Sequence, residues 1–311
     1  MTTLNDIIDL AVEVGSAVEA GPLRLFPLFA TAPSAPGYLS GPEAAGAIAV
    51  EEHDGAAEVP ELVLTSGAAL PLLLLEGETI LGVKQNRTLN VSVLCLPQTP
   101  TVIPVSCVEA GRWGAVQPVS RSPRLSPSSL RAAKTRSVVN SVRTRASKRS
   151  DQNLVWETVD SYASFLACAS PTAAMEDVAS ATAPEVAALV EGLEPVDGQR
   201  GVLVVTAGGV VALDLFDKPS TLAAYWDGLL AGYALDAVDR RDGASATTEF
   251  GPADARAFLD HVLGTPATET GAVALGTEVH FGDDDVTGGA LVWDGAVVHL
   301  AAFGGAAGRR R

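Results

Sequence analysis

The sequence predicts an α+β chain: an N-terminal antiparallel β sandwich or barrel-like sheet, central helices, and C-terminal β-hairpins with helices. Three observations carry this. Short apolar runs recur at a spacing of about ten residues between 47 and 107, with Gly and Pro between them. Helix-start signals follow one another from Ser128 to Pro184. Beyond residue 200, two long apolar runs are each interrupted by a two-residue turn signal, Gly208-Gly209 and Asp294-Gly295.

In chain order, residues 4–19 read as an amphipathic helix, with Leu4, Ile7, Ile8, Ala11 and Val12 on one face. PLRLFPLFA (22–30) reads as a short strand, and Pro27 assigns it to a sheet edge. Ser40 to Glu43 has capping-box spacing. Strands are expected around 47–52, 61–65, 71–75, 79–83, 90–96 and 101–107. QPVSRSPRLSPSS then reads as a Pro/Ser-rich linker. Ser128 reads as the cap of a basic helix to about 148, and Asp151 caps another over 152–169. A third helical stretch begins at Pro171, and Pro184 breaks it and opens a last one to about 192. Helices are also expected over 220–239 and 252–263. The divisions are 1–117 (β-rich), 118–195 (basic and helical), 196–305 (α+β, packed with the first as one unit) and a flexible tail, 306–311.

Composition bounds the function. The 311 residues are 47% hydrophobic, enough for a packed core. A net charge of -16 opposes casual binding to nucleic acid or anionic membrane. Three cysteines, Cys95, Cys107 and Cys168, make no disulfide framework, so a reducing cytoplasm is expected. The first residues carry Asp6, Asp9 and Glu13 rather than a basic n-region, so no signal peptide is expected. Charge is uneven: nine of the 21 Lys and Arg lie between Arg121 and Arg149, and no acid lies between Glu109 and Asp151. That stretch reads as a phosphate- or RNA-binding element, as a solvated helix pairing with the acidic remainder, or as a flexible insertion.

Residues 76–114 hold the densest chemistry. Glu76, Glu78, Lys84, Gln85, Asn86, Arg87 and Asn90 form one polar cluster, and Cys107, Glu109, Arg112 and Trp113 a second. Lys84, Gln85, Asn86, Arg87, Asn90, Arg112 and Trp113 are the candidate ligand contacts, because their donors suit phosphate, carboxylate or ribose oxygens. Glu78, Cys107 and Glu109 are the candidate catalytic groups, as base or as thiol nucleophile. Equally, Arg87 could pair with Glu76, Glu78 or Glu109 as a structural ion pair. Asp283, Asp284 and Asp285 form an acidic turn without calcium-loop spacing. His280 and His299 fall in strands read as adjacent, with no third zinc ligand. No metal or cofactor is expected.

GETILGVKQNRTLNVSVL followed by IPVSCVEAGRW resembles the bacterial ARG-and-rhodanese-phosphatase-superfamily-associated protein domain, with both segments in order about 20 residues apart. DQNLVWETVD, SPT and LDLFDKPSTLAAYWDGLLAGYALDA extend the likeness over roughly 20–305, with Ala110 where the family often has Gln. The resemblance makes Glu78, Lys84, Gln85, Asn86, Arg87, Asn90, Cys107, Glu109, Arg112, Trp113, Gln152 and Trp156 signature residues. It implies a role near ADP-ribose, NAD or phosphate-ester metabolism, and so a binding or accessory protein for such a phosphorylated nucleotide. The partners implied are that ligand and ADP-ribose-processing proteins. Nucleic acid is expected only through 121–149, and no membrane is expected. A hydrolase or transferase, and an interaction protein with structural ion pairs, are the alternatives.

Overall fold

A computed structural model describes residues 2–41, 48–52, 60–112, 117–238 and 250–305. Among them, six α-helices and seventeen strands alternate in three antiparallel sheets, so the mixed α+β class holds. The strands are β1 (Ala11–Val14), β2 (Val18–Ala20), β3 (Leu23–Thr31), β4 (Ile48–Glu52), β5 (Glu61–Ser66), β6 (Leu72–Leu74), β7 (Glu78–Val83), β8 (Arg87–Leu89), β9 (Val93–Cys95), β10 (Thr101–Cys107) and β11 (Gln117–Leu125). Next come α1 (Ser128–Arg145), α2 (Gln152–Phe165), α3 (Met175–Ala181) and α4 (Ala183–Val190). The chain ends with β12 (Gly201–Thr206), β13 (Gly209–Phe216), α5 (Pro219–Val238), α6 (Pro252–Gly264), β14 (Ala267–Gly271), β15 (Thr277–Gly282), β16 (Val286–Trp293) and β17 (Ala296–Gly304).

The largest sheet has the order β1-β3-β12-β13-β17-β16-β15-β14, with β2 also on β3. Both faces are covered, so its strands are apolar on both sides. Along β12, Val202 and Val204 face the core containing α1, α2, α4 and α5, while Leu203 and Val205 face the core containing α6. A second sheet, β11-β7-β8-β10-β5-β4, carries the signature segments. Helix α1 lies between the two sheets. It packs on β15, β16 and β17, and its Val138 and Val142 belong to the core of the smaller sheet.

Five sequence expectations change. Residues 4–19 form one 3-10 turn, Leu4–Asp6, followed by β1 and β2, not a helix. Leu10 and Val12 are buried while Ala11 and Glu13 are exposed, a period of two that pairing with β3 enforces. Strand β3 is internal, not an edge, lying between β1/β2 and β12. Pro27 is tolerated there because its carbonyl accepts from Gly15 N–H (2.8 Å). Its missing donor therefore faces the break between β1 and β2. The expected linker is β11, paired with β7 through two register shifts that absorb its prolines. The 90–96 run splits, β8 pairing with β7 and β10 and β9 with β6. His280 on β15 and His299 on β17 are not neighbours, since β16 lies between them.

Other expectations hold. Asp151 caps α2, accepting from Asn153 and Leu154 N–H. Pro184 sits in the first turn of α4. Asp294 and Gly295, at φ 52° and 75°, close the β16–β17 hairpin. The β12–β13 loop is Ala207-Gly208, one residue earlier than expected, because Thr206 pairs with Gly209. The tail 306–311, Trp113, and Pro42 and Glu43 of the proposed 40–43 cap lie outside the described residues.

Candidate functional site

The signature begins with a strained turn. β7 ends with Gly82 at φ 93° and Val83 at φ 44°. A Cβ at residue 82 would come within 2.2 Å of the Pro118 carbonyl oxygen, so only glycine fits. A β-branched residue at positive φ costs about 1–3 kcal/mol unless its surroundings impose it. Arg112 does so. Its guanidinium donates to Val83 O (3.0 Å), Gly82 O (3.2 Å) and Asn86 Oδ1 (3.2 Å). Asn86 Oδ1 also accepts from Gly82 N–H (3.1 Å).

Glu109 holds that clamp in place. It accepts from Arg112 Nε (2.9 Å) and Nη2 (2.7 Å), from Asn86 N–H (3.0 Å) and from Thr172 Oγ1 (2.9 Å). Burial alone would raise its carboxyl, but Arg112, the Asn86 N–H and Thr172 outweigh it and hold it below the usual carboxylate range. Both oxygens of Glu109 are thus occupied. Glu78 is engaged as well, accepting from Leu75 N–H (2.7 Å) and paired with Arg121.

Cys107 lies opposite Arg87 across β10 and β8. Its thiol donates to Gln85 Oε1 (2.9 Å), which also accepts from Arg87 Nη1 (3.1 Å). Gln152, at the start of α2, brackets the Cys107 peptide: its Oε1 accepts from Cys107 N–H and its Nε2 donates to Cys107 O, both at 2.8 Å. Burial pushes the Cys107 thiol up to about 12 despite Arg87 nearby, so it is protonated at neutral pH. Two donors of this cluster, Gln85 Nε2 and Arg87 Nε, are buried without a partner among the described residues, as is Trp156 Nε1 one turn beyond Gln152. None of the described carboxylates pairs with Arg87.

The structure therefore joins Gln85, Arg87 and Cys107 in one knot, and Asn86, Glu109 and Arg112 in another beside it. Lys84 is exposed, with its N–H on Glu52 Oε1 (3.0 Å). Asn90 lies apart, donating to Lys148 O (3.2 Å) and accepting from Ser106 Oγ (2.7 Å).

A second constellation, at the centre of the molecule, was not anticipated. Arg131 on α1 is 1% exposed and binds Glu76 (2.5 Å) and both oxygens of Asp214 (2.6 and 3.0 Å). Lys134 contacts Glu76 Oε2 (3.3 Å) and donates to Leu89 O. The expected solvated helix is thus buried along one side, where Arg131 and Lys134 meet Glu76 in the turn before β7 and Arg131 meets Asp214 on β13. Burial pushes the Lys134 ammonium down to about 8, with Glu76 opposing. Burial acts to raise the Glu76 and Asp214 carboxyls, but Arg131, with Lys134 beside Glu76 and His299 beside Asp214, keeps both low. The readable signal was a lone acid inside the apolar run VVALDLF and a cation, Arg131, in line with Thr135, Val138 and Val142 on one helix face.

From Asp214 a chain of bonds continues through His299 Nε2 (3.0 Å) and from His299 Nδ1 to Ser92 Oγ (2.8 Å). The ionised Asp214 accepts a hydrogen bond from Nε2–H, so Nδ1 accepts one from the Ser92 hydroxyl. These are the groups of a serine–histidine–aspartate relay with the imidazole turned end for end. The cavity that Ser92 lines, with Glu76, Asn90, Glu278 and His280, has a volume of about 30 Å³. That volume holds one or two waters.

His280 Nε2 bonds Glu278 (3.1 Å), and His261 Nε2 bonds Asp283 (2.8 Å), whose Oδ1 caps its own turn through Asp285 and Val286 N–H. Among the described residues, no group of three metal-ligating side chains occurs, and no helix is long and apolar enough to cross a membrane.

No curated protein and no solved structure matches the chain. The ARG and rhodanese-phosphatase-superfamily-associated protein domain matches residues 11–303, a span that includes both the strained turn and the central charges. The chain accordingly belongs to that family.

Proposed function

We propose that the chain is a binding or accessory protein for a phosphorylated nucleotide of the ADP-ribose or NAD type, acting beside ADP-ribose-processing proteins in the cytoplasm. The observation that carries this reading is the pair of unpartnered buried donors, Gln85 Nε2 and Arg87 Nε, beside the neutral Cys107 thiol. A buried donor without an acceptor costs about 1–3 kcal/mol, which a phosphate or ribose oxygen would relieve. Exposed Lys84 adds a cation next to this group. Catalysis by Glu78, Glu109 or Cys107 is disfavoured, since the two carboxylates are occupied and the thiol is protonated. Three unpaired cysteines fit a reducing compartment.

Calorimetric titration of ADP-ribose, NAD and inorganic phosphate tests the reading. Heat and a thermal shift are expected with the parent protein and loss of both with Arg87→Gln. No response across the three ligands overturns it.

A further inference from the structure

Gln85, Asn86 and Arg87 are consecutive, and the residue between the two unpartnered donors is the one that the clamp grips. Asn86 N–H donates to Glu109 Oε2 (3.0 Å), and its carbonyl accepts from Val108 N–H (3.0 Å). Its Oδ1 accepts from Gly82 N–H (3.1 Å) and from Arg112 Nη2 (3.2 Å). The peptide linking Gln85 to Asn86 and the peptide linking Asn86 to Arg87 are therefore each tied down by a hydrogen bond.

The side chains on either side are oriented too. Gln85 Oε1 accepts from the Cys107 thiol (2.9 Å) and from Arg87 Nη1 (3.1 Å), so Nε2 is the end of the amide left over for a ligand. Arg87 is 2% exposed and uses one N–H of its guanidinium fork on that bond. A buried guanidinium that no described carboxylate pairs with is costly, and its place has to be imposed by the surrounding structure. The strain at Val83 lies in the same turn, and Arg112 holds that as well, through the carbonyls of Gly82 and Val83.

We infer that Glu109 and Arg112 are positioning residues for the proposed anion site: by gripping Asn86 they keep Gln85 Nε2 and the Arg87 fork aimed together at one phosphate group of the ligand. The inference rests on the nucleotide reading, which takes Gln85 and Arg87 as ligand contacts. The oxygens of Glu109 are occupied by Arg112, Asn86 and Thr172, so it acts through Asn86 and not on the ligand. The gain is preorganisation, since donors already in place lose little freedom when the anion arrives.

The test is calorimetric titration of ADP-ribose into the full chain and four variants, with thermal unfolding confirming that each is folded. Arg112→Lys keeps the charge and loses the fork that spans Glu109, Asn86 and the two carbonyls. Glu109→Gln keeps the size and loses the charge. Asn86→Ala removes only the shared acceptor. Each is expected to weaken ADP-ribose binding at least about tenfold. Asp214→Asn, which disturbs the central charges instead, is expected to lower the thermal midpoint and keep the parent affinity, a separation that a merely structural role would not produce. Parent affinity in the three folded clamp variants overturns the inference and leaves the nucleotide reading in place. An equal loss in Asp214→Asn overturns it as well, because the effect would then follow stability. No binding of ADP-ribose to the parent chain overturns the nucleotide reading and the inference with it.

Discussion

The clamp at 82–87 and the charged centre both consist of arginines held by carboxylates, yet they do different work. Arg112 reaches carbonyls 29 and 30 residues away and a carboxylate three residues away, and its task is to hold one strained turn. Arg131 joins side chains 55 and 83 residues away, and so ties the signature sheet to the large sheet through α1. Arg112 remains 11% exposed at its side chain, whereas Asp214 is wholly buried. The difference teaches that charge near a backbone bend sets local geometry, while charge between sheets selects which segments meet.

The comparison breaks most visibly at Asp214. Asp214→Ala leaves Arg131 facing Glu76 alone in a dry interior and should cost about 3–5 kcal/mol in urea unfolding. If Glu109→Ala costs as much, the two sites are not different in kind. Glu109→Ala is expected to cost about 1–3 kcal/mol. Its selective effect should be faster hydrogen exchange at the Gly82 and Asn86 amides, read by NMR, with exchange in β12 and β13 unchanged.

Titration sharpens the contrast. Asp214 and Glu76 have folded values below their unfolded ones, so the stability they contribute is complete above the unfolded range near 4 and is lost as pH falls below it. Lys134 works in the opposite sense. Its folded value of about 8 lies below the ordinary 10.5, so the unfolded chain binds more protons between those limits and stability rises with pH across that window. Lys134→Met should flatten the rise in thermal midpoint between pH 8 and 10.5, and an unchanged slope would remove Lys134 as its source.

The smallest effect is expected at Cys107. Cys107→Ser keeps a donor for Gln85 Oε1 and should shift stability by about 1 kcal/mol or less. Iodoacetamide labelling of the native protein at neutral pH should modify partly exposed Cys168 and spare Cys107. Rapid labelling of Cys107 would contradict its buried, protonated state.

Much of the fold was legible where chemistry is local. Asp294-Gly295 specifies a turn by its own φ preferences, and Asp151 caps α2 with its own carboxylate. Glu109 and Arg112 fell in one expected cluster, but Glu109 was read as a possible partner of Arg87, and the structure pairs it with Arg112. Residues 4–19 misled because a few apolar positions fit periods of both two and 3.6, and only pairing with β3 decides between them. The prolines of 117–125 suggested a linker, because β7 and its accommodating bulges cannot be read from that segment. Of the central cluster, Glu76 alone was singled out, since burial of α1 is a property of both sheets together.

By itself, then, the sequence determined the α+β class, the hairpins, the Asp151 cap and the family, whereas Ser128, read as a cap, is the first residue of α1 behind Pro127. The sequence also determined that nine cations would sit in one acid-free stretch. Only the tertiary structure decided that Arg131 and Lys134 turn inward to Glu76 and Asp214, that β3 joins β12, and that Glu78 and Arg121 lie beside an open pocket. The physical reason is desolvation: burying Arg131 and Lys134 is costly unless opposite charges meet them, and Glu76 and Asp214 come from segments far away in the chain.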